Sequence, residues 1–158
     1  MNKQELASLL KTMSEKEKKY AEELENLSER FRHPVLQALI KGIAKDSEKH
    51  SIFYAALAKL VGEIQPMITE EELRIIREGL EKHIETEANM IELTRRLAVE
   101  TSDPRQKLVL QAIYEDEVKH HKILLDIHRN IVEKEAFTEE QVWDSVWKDS
   151  PWHGAPGG

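Results

Sequence analysis

Apolar residues recur along the chain at alternating spacings of three and four, the rhythm of helices that turn one face toward a core. Four segments follow it. The first, about residues 3–30, carries Leu6, Leu10, Met13, Tyr20, Leu24, Leu27 and Phe31; the second, about 34–62, carries Leu36, Ile40, Ile43, Tyr54, Leu57 and Val61. The third, about 70–100, carries Leu73, Ile76, Leu80, Ile84, Met90, Ile91 and Leu97, and the fourth, about 104–134, carries Leu110, Ile113, Leu124, Ile127 and Ile131. The breaks between them have chemical causes. Pro34 and Pro104 stand where a first helical residue belongs, since the missing N–H is not needed there. Pro66 interrupts the second connection, and Thr69-Glu70-Glu71-Glu72 is a capping box that opens the third segment. A further capping box, Thr138-Glu139-Glu140-Gln141, precedes Val142, Trp143, Val146 and Trp147 on one face, which predicts a short fifth helix before a Trp/Pro/Gly tail. The expected layout is a bundle over residues 1–135, as hairpins 3–62 and 70–134, with the short helix and tail over 136–158.

The two hairpins repeat one another. Residues 10–61 and 80–131 align without a gap at an offset of seventy, and ten of the 52 pairs are identical, including Glu17/Glu87, Pro34/Pro104, Ile43/Ile113, Asp46/Asp116, Lys49/Lys119 and His50/His120. Helical composition alone gives roughly half that number. The pattern reads as a duplicated αα-hairpin.

Each seam stops being apolar at mid-length. Glu17 lies between Met13 and Tyr20; Ser47 and His50 lie between Ile43 and Tyr54; His83 and Glu87 lie between Leu80 and Met90; Glu117 and His120 lie between Ile113 and Leu124. Thr94 is a milder exception. A carboxylate turned into a core without a partner costs several kcal/mol or takes up a proton. Three at one level call for a counter-charge, which a divalent cation supplies compactly. Glu and His three residues apart share a helix face and can reach one ion together. Carboxylate with imidazole suits iron or manganese, and zinc as well. The plain alternative for each carboxylate is pairing with Lys or His, and for each histidine a satisfied place in the core.

Composition narrows the field without changing this picture. Of 158 residues 34% are charged, Gly and Pro total eleven, and there is no cysteine, so the class is all-α and thiolate metal sites are excluded. The net charge of −7 is spread along the chain with both signs interspersed, which provides no basic face for nucleic acid. No signal-like N-terminus and no membrane-length apolar run is present, so a cytoplasmic protein is expected.

The layer of Glu17, Ser47/His50, Glu87 and Glu117-Val118-Lys119-His120 resembles the di-metal carboxylate bundles, which use one inward Glu from each of two helices and a Glu-x-x-His pair from each of the others. Specifically it is similar to the rubrerythrin branch of the ferritin-like proteins. Ile84–Glu92 looks like that family's third helix and Glu115–His121 like its fourth. The resemblance, over about residues 5–134, implies a ferritin-like four-helix bundle holding one or two iron ions, with manganese or zinc as alternatives. It implies the ligands Glu17, His50, Glu87, Glu117 and His120, with His83 one turn before Glu87 as a sixth candidate. The expected chemistry is ferroxidase or peroxide reduction. The family's four-cysteine iron domain is absent here, so electrons would have to come from an external donor. Ser47 stands where the family has a second bridging Glu, which makes a second ion weak or absent. The alternative function is a non-catalytic metal-binding or structural bundle with a degenerate site.

Ferritin-like bundles run up-down-down-up, so the second connection must travel the bundle length. The helix ends it would join are roughly 45 Å apart at 1.5 Å per residue. Residues 63–68 reach only about 20 Å fully extended. The expectation is therefore a homodimer with exchanged hairpins; a simple up-down-up-down bundle is the other solution.

Overall fold

A computed structural model of the chain describes residues 1–66 and 68–132. Its helices begin where the capping chemistry and the prolines place them. Helix α1, Lys3–Ser28, opens on a capping box in which Asn2 accepts from the Glu5 N–H while the Glu5 carboxylate accepts from the Asn2 N–H, both at 2.9 Å. Helix α2, Pro34–Gly62, and helix α4, Pro104–Ile127, both start on proline. Helix α3, Glu70–Glu100, opens on the Thr69/Glu72 capping box, and its first turn holds Glu70, Glu71 and Glu72, favourable against the positive end of the helix dipole. All the regular structure among the described residues is helical. No helix among them is long and apolar enough to cross a membrane.

The fourth helix departs from its expected length. It was expected to run to about residue 134, but the α-helix stops at Ile127 and continues as a π-helical turn, His128–Val132. Asn130 explains the change. Its wholly buried side-chain amide donates to the Asp126 carbonyl at 2.8 Å, competing for the acceptor that an α-helix reserves for the Asn130 N–H. The short fifth helix and the Trp/Pro/Gly tail lie outside the described residues.

Two units divide the chain between Gln65 and Pro66. In the first, α1 lies against α2 across a seam of small side chains. Ala44, Ser47 and Ala58 are buried on α2, and Ser28 on α1. Ser14 Oγ donates to the Ser51 carbonyl at 2.8 Å, with the two hydroxyls 3.1 Å apart. Small residues with hydroxyl contacts let two helices approach closely, while Lys41 reaches Glu25 at 3.6 Å on the outside.

The second unit pairs α3 with α4 differently. Thr94 is the buried residue of α3, and α4 has none. Where the first seam has Ala44, Ser47, Ser51 and Ala58, the second has Tyr114, Glu117, His121 and His128, all larger and polar. Each is only partly buried.

Neither hairpin uses up its apolar surface. Met13, Tyr20 and Leu27 stand seven apart on α1, and so do Ile43, His50 and Leu57 on α2; Tyr20, Leu27, Ile43 and His50 are exposed. The second unit repeats the arrangement with His83, Met90 and Leu97 on α3 and Ile113, His120 and Ile127 on α4, of which all but Ile127 are exposed. Residues seven apart form one line along a helix. Each hairpin thus has a closed face and an open one, and both histidines of the polar layer sit on the open one.

Candidate metal centre

Helix α3 presents Glu87 at mid-length, and α4 presents Glu117 and His120 one turn apart on the facing side. One ligand atom from each of the three lies within 4.8 Å of the others, and this is the one such group of three or more among the described residues. His120 Nδ1 is 3.9 Å from Glu87 Oε1. The glutamate side chain is 20% exposed and the imidazole 48%, so the cluster is closed on the helix side and open on the other.

Two carboxyl groups this close cannot both ionise at no cost. The Glu117 carboxyl is pushed up to about 7, first by the hydrogen bond it shares with Glu87, then by burial, then by the negative charges of Glu87 and Asp116. The other oxygen of Glu87, Oε2, is buried and accepts no hydrogen bond. A buried carboxylate oxygen without a donor is costly. A cation at this position would meet that oxygen, replace the shared proton and use His120 as a neutral nitrogen ligand. Carbon-bound oxygen and imidazole nitrogen are hard to borderline donors suited to iron, manganese or zinc. Ligand atoms on one ion lie about 3–4 Å apart at bond lengths near 2.1 Å, so side-chain rotation alone would close the site. The donor set therefore fits a divalent cation.

The first unit repeats the Glu/His pair but not the cluster. His50 Nδ1 is 3.7 Å from Glu17 Oε1, with side-chain exposures of 49% and 22%. At the position equivalent to Glu117 stands Ser47, only 5% exposed. Of the residues expected from the sequence, the structure brings Glu87, Glu117 and His120 together and places Glu17 with His50 as a separate pair. His83 is exposed and lies outside the cluster.

The neighbouring acids have simple partners. Asp46 takes Lys49 at 2.7 Å and Asp116 takes Lys119 at 3.8 Å, each pair spaced to share a helix face. The sequence leaves open whether these aspartates orient the histidines; in the structure they answer lysines. One feature escaped the sequence altogether. His121 is half-buried, with Nδ1 enclosed and without a hydrogen-bond partner, at the position where the first hairpin has Ser51. The only advance sign was the replacement of a small residue by a large one at offset seventy.

No family model, curated protein or solved structure matches the chain.

Proposed function

We propose that the protein binds a divalent metal ion at Glu87, Glu117 and His120, iron by first choice, with manganese or zinc as alternatives. The observation that carries this is the convergence of two carboxyl groups and an imidazole, with one ligand atom of each within 4.8 Å of the others and a buried, unpartnered oxygen on Glu87. A cation answers all three at once. Glu87 and His120 would hold it from the two helices, while Glu117 would give up its proton and supply the second negative charge. A ferrous ion would bring one electron and open coordination positions, which is the basis for an iron-oxidising or peroxide-reducing role with an external electron donor. The likeness to rubrerythrins supports that extension through the same residues.

Elemental analysis of protein purified without chelators tests the proposal. Wild type is expected to carry metal and Glu117→Ala to carry less than a tenth as much. Near-zero metal in both, with both folded by circular dichroism, would leave a polar layer that only fixes helix register, as buried polar groups can.

The open apolar lines on each hairpin support a second part of the proposal, that hairpins of two copies cover one another. Glu63–Thr69 are the seven residues between α2 and α3 and span at most about 25 Å. An up-down-down-up bundle would need them to cover roughly 45 Å. Exchange between two chains removes the conflict and makes a homodimer. A monomeric mass by light scattering at micromolar concentration would sink this part while leaving the metal site untouched.

A further inference from the structure

Resting on the metal-binding reading, we infer that Ser47 sets the stoichiometry: the chain holds one ion, on hairpin α3–α4, and hairpin α1–α2 is a closed counterpart that holds none.

Three observations converge on Ser47. The first is charge. Around Glu87 a second carboxyl group, that of Glu117, and the imidazole of His120 converge, with one ligand atom of each within 4.8 Å of the others. Around Glu17 there is a single carboxylate facing a single imidazole at 3.7 Å. With Ser47 in place of a second acid, this pair has one carboxyl group fewer than the Glu87 cluster to set against an ion.

The second is donor chemistry. A neutral serine hydroxyl is a weak ligand for these ions beside a carboxylate, which brings a full charge and two oxygens. Glu17 and His50 alone would supply two protein ligands, one short of the three that an open metal site ordinarily uses.

The third is space. Ser47 is 5% exposed in a run of small seam residues, Ala44 and Ala58 among them, at 2% and 3%. The Ser14–Ser51 hydroxyl contact at 3.1 Å bridges the same two helices one turn further along. At the equivalent places the second hairpin has Tyr114, Glu117, His121 and His128. The first seam is filled by the buried Ser47 where the second carries Glu117.

The consequence reaches the chemistry. Reducing one hydrogen peroxide to two waters consumes two electrons and two protons, and one ferrous ion supplies one electron. A one-ion chain is thus suited to holding a metal or to one-electron exchange with a donor.

Equilibrium dialysis of the full chain against Mn(II), and anaerobically against Fe(II), followed by metal and protein quantification, tests the assignment. Wild type is expected to take one ion per chain. His50→Ala is expected to keep that ion with affinity changed less than threefold. Ser47→Glu, or the shorter Ser47→Asp if the longer side chain disrupts folding, is expected to raise the count toward two. Two ions on the wild type, or loss of the ion in His50→Ala, would overturn the role of Ser47 while leaving the metal reading in place. No ion on the wild type would overturn the metal reading itself.

Discussion

Hairpins α1–α2 and α3–α4 carry the same Glu/His pair at nearly the same separation, 3.7 and 3.9 Å, yet they are built for different ends. The first packs small residues into its seam and leaves its one carboxylate with its one imidazole. The second widens its seam with Tyr114, Glu117 and His128 and sets two carboxyl groups against each other. One substitution in the polar layer, serine for glutamate, accompanies the whole contrast. Closeness of packing and capacity for a cation are thus opposed uses of the same helical positions: the side chain that would ligate an ion is also the one that keeps the helices apart.

The comparison can be broken most sharply at Ala44. Ala44→Tyr copies Tyr114 into the first hairpin, and forcing that volume into a filled seam should cost about 2–3 kcal/mol. The change is measured by urea unfolding followed by circular dichroism. A loss below half of that would mean the first seam is no tighter than the second.

Removing the acid pair should cost nothing in stability and most of the metal binding. Glu117→Ser makes the second hairpin resemble the first at its polar layer. Metal affinity is expected to fall at least about 100-fold, which is about 2.7 kcal/mol of binding free energy. The metal-free variant at pH 8 should be no less stable than wild type, because the carboxyl repulsion is gone. Isothermal titration with Mn(II) and thermal unfolding of the same samples measure both effects; a destabilised metal-free variant would show that Glu117 is held by contacts other than its partner acid.

A pH dependence follows from the raised Glu117 carboxyl. Its value in the folded protein, about 7, lies above the ordinary 4.5. The stabilisation from the shared proton is therefore fully present below about pH 4.5 and is lost as pH rises through 7. Metal-free protein should unfold more easily at pH 8 than at pH 5.5 by on the order of 1 kcal/mol, once solvent access to the site is allowed for. Glu117→Gln should remove this dependence. Metal affinity should move the opposite way, rising up to about tenfold per pH unit below 7 as the ion displaces the proton, and levelling above it. A flat affinity profile between pH 5.5 and 7 would show that no proton is displaced.

The smallest effect concerns the one helix start in the second hairpin that is capped by a hydroxyl. Thr69→Ala should destabilise that unit by about 1 kcal/mol through loss of the capping box and leave Mn(II) affinity unchanged. Reduced affinity in this variant would reveal coupling between the helix start and a site seventeen residues away.

Much of this architecture is legible in the sequence because its causes are local. Pro34, Pro104 and the Thr69 box act within one turn, and they mark the helix starts that the structure contains. Glu87, Glu117 and His120 stand out as polar residues on apolar lines. Asn130 was missed because its amide looks like any surface polar group until the Asp126 carbonyl is seen beside it. His83 shares a helix face with Glu87 by spacing, but spacing alone does not say whether a side chain reaches the cluster or solvent, and this one is exposed.

The starts of the four helices, the recurrence at seventy and the three residue types of the cluster follow from the sequence alone, since propensity, capping and periodicity are properties of neighbours along the chain. The tertiary structure decided what those residues do to each other. Only the approach of α3 to α4 brings the Glu117 carboxyl to Glu87 and His120. Only the closeness of α1 to α2 turns Ser47 from a missing ligand into a buried packing residue. Electrostatic coupling and packing depend on distances between helices, which no local pattern specifies.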